Sequence, residues 1–257
     1  MTIECGAQTD MGKVRTNNED SFACDETIGL FVVADGMGGH NAGEVASKMA
    51  IELVMNHTRQ LSSQLQPPHA AEVLSSGIKL ANQAIYEAGQ KYTQNQGMGT
   101  TIVAVQSHLK SYTIAWVGDS RIYMVRHGHI QQLSTDHSLV QEQINRGMIS
   151  ADQAETSEFK NVLTRALGVS ETVEVDTAEI PAFEHDYIIL CSDGLTRFVS
   201  DEQMRTIILN TATPAAIARA LIDAANAGGG RDNITVVVLH RKKNNMWERF
   251  LRVLKDK

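Results

Sequence analysis

Apolar positions along this 257-residue chain follow two periods, and the switches between them set out its elements. Ile3, Cys5 and Ala7 alternate with polar residues, which predicts a first strand broken at Asp10–Gly12. The continuous apolar run from Leu30 ends at Asp35, and four glycines punctuate the next eight residues. From Ala42 to about Tyr92 the period is helical. Ile51, Leu53 and Val54, then Val73, Leu74, Ile78, Leu80, Ala81 and Ile85, predict two helices, each burying one face, separated at Gln66–His69. From Gly99 the period returns to two. Thr101–Val105, Tyr112–Val117, Arg121–Val125 and His129–Leu133 predict strands whose short connections imply an antiparallel meander.

The polar stretch 135–167 is expected to be helical, with Ser150 as a cap. Strands return at Val173–Ile180 and Asp186–Cys191. Helices follow at Asp201–Leu209 and at Pro214–Ala227, the second opened by proline and stopped by three glycines. Ile234–Leu239 is the last predicted strand. Two strand groups, each interrupted by a helix pair, predict an α+β fold of two stacked antiparallel sheets with helices outside.

Hydrophobic content of 42% and charged content of 21% are those of an ordinary globular chain, and no apolar run is long enough for a membrane span. The N-terminus has no basic region followed by an apolar core, so a cytoplasmic protein is expected. Cys5, Cys24 and Cys191 form an odd, unclustered set that suits a reducing compartment rather than a disulfide framework or thiolate metal site. The net charge of −7 argues against nucleic acid as a partner. That charge is uneven: residues 241–257 carry +5, which leaves −12 for the rest.

Candidate chemistry starts at the Gly-rich turn. It lacks the Gly-x-Gly-x-x-Gly spacing of a dinucleotide site and the Gly-Lys-Ser/Thr of a phosphate-binding loop. Standing alone it also fits a turn with Asp35 as a cap; recurrence decides. Apolar strands end at or begin from an aspartate flanked by small residues four times, at Asp35, Asp119, Asp193 and Asp232, and Glu19 and Asp20 add two more acids. Along one rim of a sandwich such acids repel: two carboxylates about 4 Å apart at an effective dielectric near 20 cost roughly 4 kcal/mol. Oxygen-only donors then call for hard cations, magnesium or manganese. Two such ions would activate water and clamp a phosphoryl group, with Arg15 holding phosphate oxygens.

In order, Arg15-x-x-Asn-Glu-Asp20, Ala34-Asp-Gly-Met-Gly-Gly-His40, Gly97-Met-Gly-Thr-Thr101, Gly118-Asp-Ser-Arg121, Ser192-Asp-Gly194 and Arg231-Asp-Asn233 resemble the motif set of the bacterial-type, metal-dependent protein phosphatase 2C family. The resemblance covers about residues 3–240. It implies a four-layer α/β/β/α sandwich that hydrolyses phosphoserine and phosphothreonine in proteins by direct attack of water activated at a dinuclear Mn2+ or Mg2+ centre. It further implies a catalytic domain over 1–240 with a flap at 138–160, a monomeric state, and a cognate serine/threonine kinase as counterpart.

Carried across by position, Asp35 bridges both metals, and Gly36 binds the first through its carbonyl. Asp193 and Asp232 bind the second metal, and Asp119 with Asp193 marks a third position. Glu19 and Asp20 hold metal-bound waters, and Arg15 the phosphate. Met37 stands where many relatives have a histidine. Bacterial members share the arrangement of His40, to which the proton-donor role then passes. In the flap, Ser157–Glu158 replaces a common His-Pro.

Three alternatives are weighed against this reading. Cys191 and Arg197 have the Cys-x5-Arg spacing of a cysteine phosphatase, but Asp193 inside that loop would oppose phosphate. An aspartyl-phosphate mechanism wants a second acid two residues on, which Asp35 and Asp193 lack. A binding module that recognises phosphoprotein without cleaving it would be expected to lose metal acids, and this chain keeps them. Beyond the resemblance, the tail 241–257 reads as a basic amphipathic helix, with Trp247, Phe250, Leu251 and Leu254 on one face. Contact through 244–257 with the parent domain, a partner or an anionic membrane follows from that pattern.

Overall fold

The computed structural model describes residues 2–39, 42–67 and 69–242. Along the chain run β1 (Thr2–Asp10), β2 (Asp20–Asp25), β3 (Leu30–Met37), α1 (Ala42–Gln60), α2 (Ala70–Lys91), β4 (Gly99–Thr100), β5 (Ile102–Ser107), β6 (Ser111–Val117), β7 (Arg121–Arg126) and β8 (His129–Gln132). There follow α3 (Leu139–Asn145), α4 (Ala151–Glu155), β9 (Asp176–Pro181), β10 (Tyr187–Cys191), α5 (Asp193–Thr196), α6 (Asp201–Asn210), α7 (Pro214–Ala227) and β11 (Ile234–Lys242).

Two antiparallel sheets stack face to face, one ordered β1-β11-β10-β7-β8 and the other β2-β3-β5-β6-β9, with β4 paired beside β3. Strand alternation divides the apolar residues among three layers. Phe31, Val33, Val103 and Ile114 meet Ile122, Ile188, Leu190 and Val237 between the sheets. The opposite faces, such as Val32, Ala34 and Ala104, pack against Ala46, Val54, Leu74 and Ile78 of α1 and α2. Tyr123, Ile189, Val236 and Val238 pack against Ile208 of α6 and Ile217, Leu221 and Ile222 of α7. Central strands read as unbroken apolar runs because both of their faces are covered. The α/β/β/α sandwich is the fold the sequence predicts.

Three differences have physical causes. The expected meander is broken, because β6 pairs with β5 in one sheet and β7 pairs with β8 and β10 in the other. Residues 118–120 are therefore a crossover between sheets, which Gly118 turns with φ +105°. Helix in 135–167 is confined to α3 and α4, capped by Ser138 and Ser150. The remainder has no apolar stripe to bury, and β9 accordingly starts at Asp176, later than expected. The last strand runs on to Lys242, and Arg241, expected to open the tail, is buried and donates to the carbonyls of His108 and Leu109. The expected amphipathic helix of the tail lies outside the described residues.

Candidate active site

Strand register brings the acids together. Asp20 and Asp35 are directly opposed across the β2–β3 ladder. The backbone of Asp35 is fixed from the other side, its N–H donating to Thr101 Oγ1 at 3.0 Å and its carbonyl accepting from Thr101 N–H at 2.9 Å and Thr100 Oγ1 at 2.8 Å. Gly36 follows where chain segments touch: a Cβ there would lie 2.1 Å from the Gly43 carbonyl oxygen. Only glycine admits that approach.

Asp119 sits on the crossover between sheets. The Gly118 N–H donates to His137 Nδ1 at 3.0 Å, and Ser120 Oγ bonds Thr101 Oγ1 at 2.7 Å, so the turn is tied on both sides. His137 Nε2 in turn meets Asp176 at 3.3 Å and Arg165 at 3.2 Å. Asp193 opens α5 after β10, and the preceding Ser192 donates from Oγ to Asp20 Oδ2 at 2.7 Å. Asp232 precedes β11. Beside it Asn233 accepts from the Glu19 N–H and donates to the carbonyls of Met11 and Asn17, fastening the loop that carries Arg15 and Glu19 to the loop of Asp232.

Arg15, Glu19, Asp35, Gly36, Asp119, Asp193, Arg197 and Asp232 line one cleft of about 300 Å³, whereas Asp20 is buried and is not among its lining residues. Burial, then the charges of Asp20, Asp193 and Asp119, hold the Asp35 carboxyl well above the usual range. Burial likewise pushes Asp20 to about 7 against hydrogen bonds from Thr235 and Ser192, and Asp119 to about 7 with Asp193 adding to the push. Glu19 and Asp193 also rise, chiefly by burial. Arg15 and Arg197 offset this in part. Arg15 Nη2 lies 2.9 Å from Asp232 Oδ1, and Arg197 bridges Asp193 and Asp232, reaching the latter at 3.3 Å.

A hard divalent cation fits this donor set. The cleft gathers oxygen donors, its carboxylates repel one another, and the buried Asp20 Oδ1 has no hydrogen-bond partner. Among the described residues no three His, Cys, Asp or Glu side chains close on a single point; the arginines stand among the acids instead.

His40 lies outside the described residues. Asn161 and Leu163, which follow the segment 138–160 expected to be a flap, also line the cleft. Sequence reading gave no role to Asn233, Ser192 or Thr101, although all lie inside the motifs. It saw Arg197 only as a partner of Cys191, whereas the i,i+4 spacing from Asp193 was the available signal. Cys191 itself is buried, and burial pushes its thiol up to about 12, which removes it as a nucleophile.

A sequence profile of the protein phosphatase 2C family matches residues 5–234. The chain is 40% identical over 237 residues to the serine/threonine phosphatase stp of Listeria monocytogenes, covering 91% of this chain and 94% of that protein. Among solved structures, the Mycobacterium tuberculosis serine/threonine phosphatase PstP/Ppp superposes with a TM-score of 0.86 at 34% identity, covering 95% of this chain and 100% of that one. The catalytic domain of the serine threonine protein phosphatase PstP in complex with two manganese ions gives 0.82 at 34% identity, covering 94% and 99%.

Proposed function

The chain belongs to the protein phosphatase 2C family of metal-dependent serine/threonine phosphatases, and on that premise we propose how its own residues divide the work. Asp35, Gly36, Asp193 and Asp232 hold two Mn2+ or Mg2+ ions, Asp119 with Asp193 offers a third position, and Glu19 and Asp20 hold waters beside them. Bound there, the ions lower the pKa of water and offset charge on the phosphoryl group. The observation that carries this reading is the convergence of strand-end carboxylates in one cleft with too few arginines to neutralise them.

Arg15 recognises the substrate. Its side chain is half-exposed at the cleft mouth and donates to Asp232, so it can turn to two phosphate oxygens with charge-assisted bonds of about 1.5–3 kcal/mol each. Asp20, buried and fixed by Ser192, accepts a proton from the attacking water, whose approach is in line with the leaving seryl or threonyl oxygen. His40 returns a proton to that oxygen. Equal acidic limbs in the pH profiles of wild type and His40→Ala, measured with a poor leaving group, would remove His40 from the reaction.

The partners are phosphorylated proteins, with a cognate serine/threonine kinase and its targets as the physiological set, acted on by a cytoplasmic monomer. Among the described residues no helix is long and apolar enough to cross a membrane. Residues 244–257 add weak, salt-sensitive contact with a partner or an anionic membrane. Equal sedimentation of full-length and 1–243 protein with anionic vesicles at low salt would eliminate the membrane contact. For the site as a whole, the test is manganese titration by calorimetry of wild type and Asp193→Asn, alongside phosphate release from a phosphopeptide. Unchanged stoichiometry and turnover in a folded Asp193→Asn protein would overturn the ligand assignment.

A further inference from the structure

The three cysteines, unclustered in sequence, are not unrelated in space. Cys5 lies in β1 and Cys24 in β2, edge strands of different sheets, and the Cys5 thiol donates to the Cys24 sulfur across 3.4 Å. Cys24 is exposed and Cys5 partly so, whereas Cys191 is buried. We propose that Cys5 and Cys24 form a reversible oxidation site, in which a hydroperoxide converts the pair to an intramolecular disulfide that ties the two sheet edges together.

Geometry favours the bond. A disulfide holds its sulfurs at about 2.05 Å, so the pair must close by roughly 1.4 Å. Each residue lies on a strand hydrogen-bonded to one neighbour only, β1 to β11 and β2 to β3, so either can give without opening ladders on both sides. The bond between the thiols also makes them unequal. Accepting from Cys5 lowers the Cys24 thiol against the opposing effects of burial and Glu26, and donating to Cys24 raises Cys5, with burial adding to the rise. Cys24 is thus the attacking sulfur and Cys5 the resolving one.

In the first step the Cys24 thiolate attacks one peroxide oxygen. An S–O bond forms, the O–O bond breaks, and hydroxide leaves to take up a proton, so sulfur is oxidised by two electrons to the sulfenic acid. Cys5 then attacks that sulfur, forming S–S and breaking S–O, and its thiol proton leaves with the hydroxyl as water. Two thiols and one hydrogen peroxide give one disulfide and two waters. A cytoplasmic thiol reductant reverses the change.

The bond encloses the segment from β1 through Arg15, Glu19 and Asp20 to β2. Cys24 lies four residues beyond Asp20, about 13 Å along the strand, so the bond restrains the loop without touching the cleft. The expected result is a sturdier enzyme with its chemistry intact.

The test treats full-length protein with equimolar hydrogen peroxide and then alkylates all remaining thiols after unfolding. Oxidation should leave Cys191 as the one alkylated cysteine, remove two hydrogens from the intact mass, and join the peptides of Cys5 and Cys24. It should raise Tm by roughly 5 °C or more, reversibly with dithiothreitol. Turnover of a small aryl phosphate should stay within about two-fold, consistent with an unaltered cleft. Cys24→Ser and Cys5→Ala should each abolish the mass change and the Tm response. Sulfinic acid at Cys24 with Cys5 still alkylated, a covalent dimer as the main product, or an unchanged Tm after full oxidation would each overturn the proposal.

Discussion

Strand β10 has an acid at each end, and the two ends are treated in opposite ways. Asp186, just ahead of the strand, is fully buried and accepts from Arg126 Nε and Nη2, both at 2.8 Å, and from the Phe183 N–H at 2.8 Å. The Arg126 guanidinium in turn lies 4.5 Å from the centre of the Phe183 ring. This is a fork-to-fork pair, and Arg126 Nη2 also donates to the Pro181 carbonyl at 2.7 Å. Asp193, just past the other end, shares Arg197 with Asp232 and faces further acids. The fold therefore contains the means to neutralise a buried carboxylate from its own residues. At the cleft it supplies less than the acids require, and only an external cation makes up the difference.

The widest separation between the two ends should appear in activity. Asp193→Asn or Asp232→Asn should lower turnover by about 10³-fold or more, corresponding to the several kcal/mol that a phosphoryl-clamping ion contributes, while circular dichroism shows an intact fold. Asp186→Ala should do the reverse. Urea denaturation should register a loss of about 3 kcal/mol, because Arg126 loses the carboxylate that neutralises it, with turnover per folded molecule kept within about two-fold. If both substitutions acted on activity alike, the contrast between the ends would fail.

Metal binding sharpens it next. Saturating Mn2+, at about a hundred times its dissociation constant, should stabilise the wild type by about 2.7 kcal/mol and Asp193→Asn by much less, with EDTA reversing the gain. Asp186→Ala should keep its full response to Mn2+. Arg15→Ala is expected to raise KM and the inhibition constant of inorganic phosphate by about a hundred-fold, two lost charge-assisted contacts, with a smaller loss in kcat. Unchanged phosphate inhibition would remove Arg15 from the phosphate.

The smallest effect is in pH. Asp119 has its carboxyl pushed up to about 7, above its unfolded value, so its stabilising contribution is complete only below about 4 and is lost as pH rises from there through about 7. His108, His137 and His240, held below the ordinary range by burial, act in the opposite sense: their contribution is complete above about 6.5 and falls away in acid. The clean reading is therefore a difference. In metal-free protein, Asp119→Asn should raise Tm by about 2–4 °C at pH 8 and have little effect at about pH 4.

Much of this molecule is legible in its sequence because period and chemistry agree. The apolar run ending at Asp35 reads as a strand with an acid at its mouth, and so it is; Pro214 and the glycines after Ala227 bracket α7 as expected. What stays hidden depends on contacts between distant segments. Nothing local shows that 118–120 changes sheets, since a three-residue connection fits a hairpin equally well. Nor does the chain announce that Asn233 holds the Glu19 loop, or that Cys5 meets Cys24, because both depend on β1 and β2 lying at the edges of separate sheets. Polar stretches such as 156–175 carry no period, and there expectation fails.

The register Thr2↔Lys242 joins the first strand to the last. A chain leaving the ribosome at about 5–20 residues per second exposes β1 long before β11 exists. Until then β1 has no neighbour in its sheet, and Asp232 is absent from the cleft. The cleft is thus complete only once the segment from Asp232 through β11 has emerged. A chain that stops short of Asp232 lacks both that carboxylate and the strand that β1 pairs with.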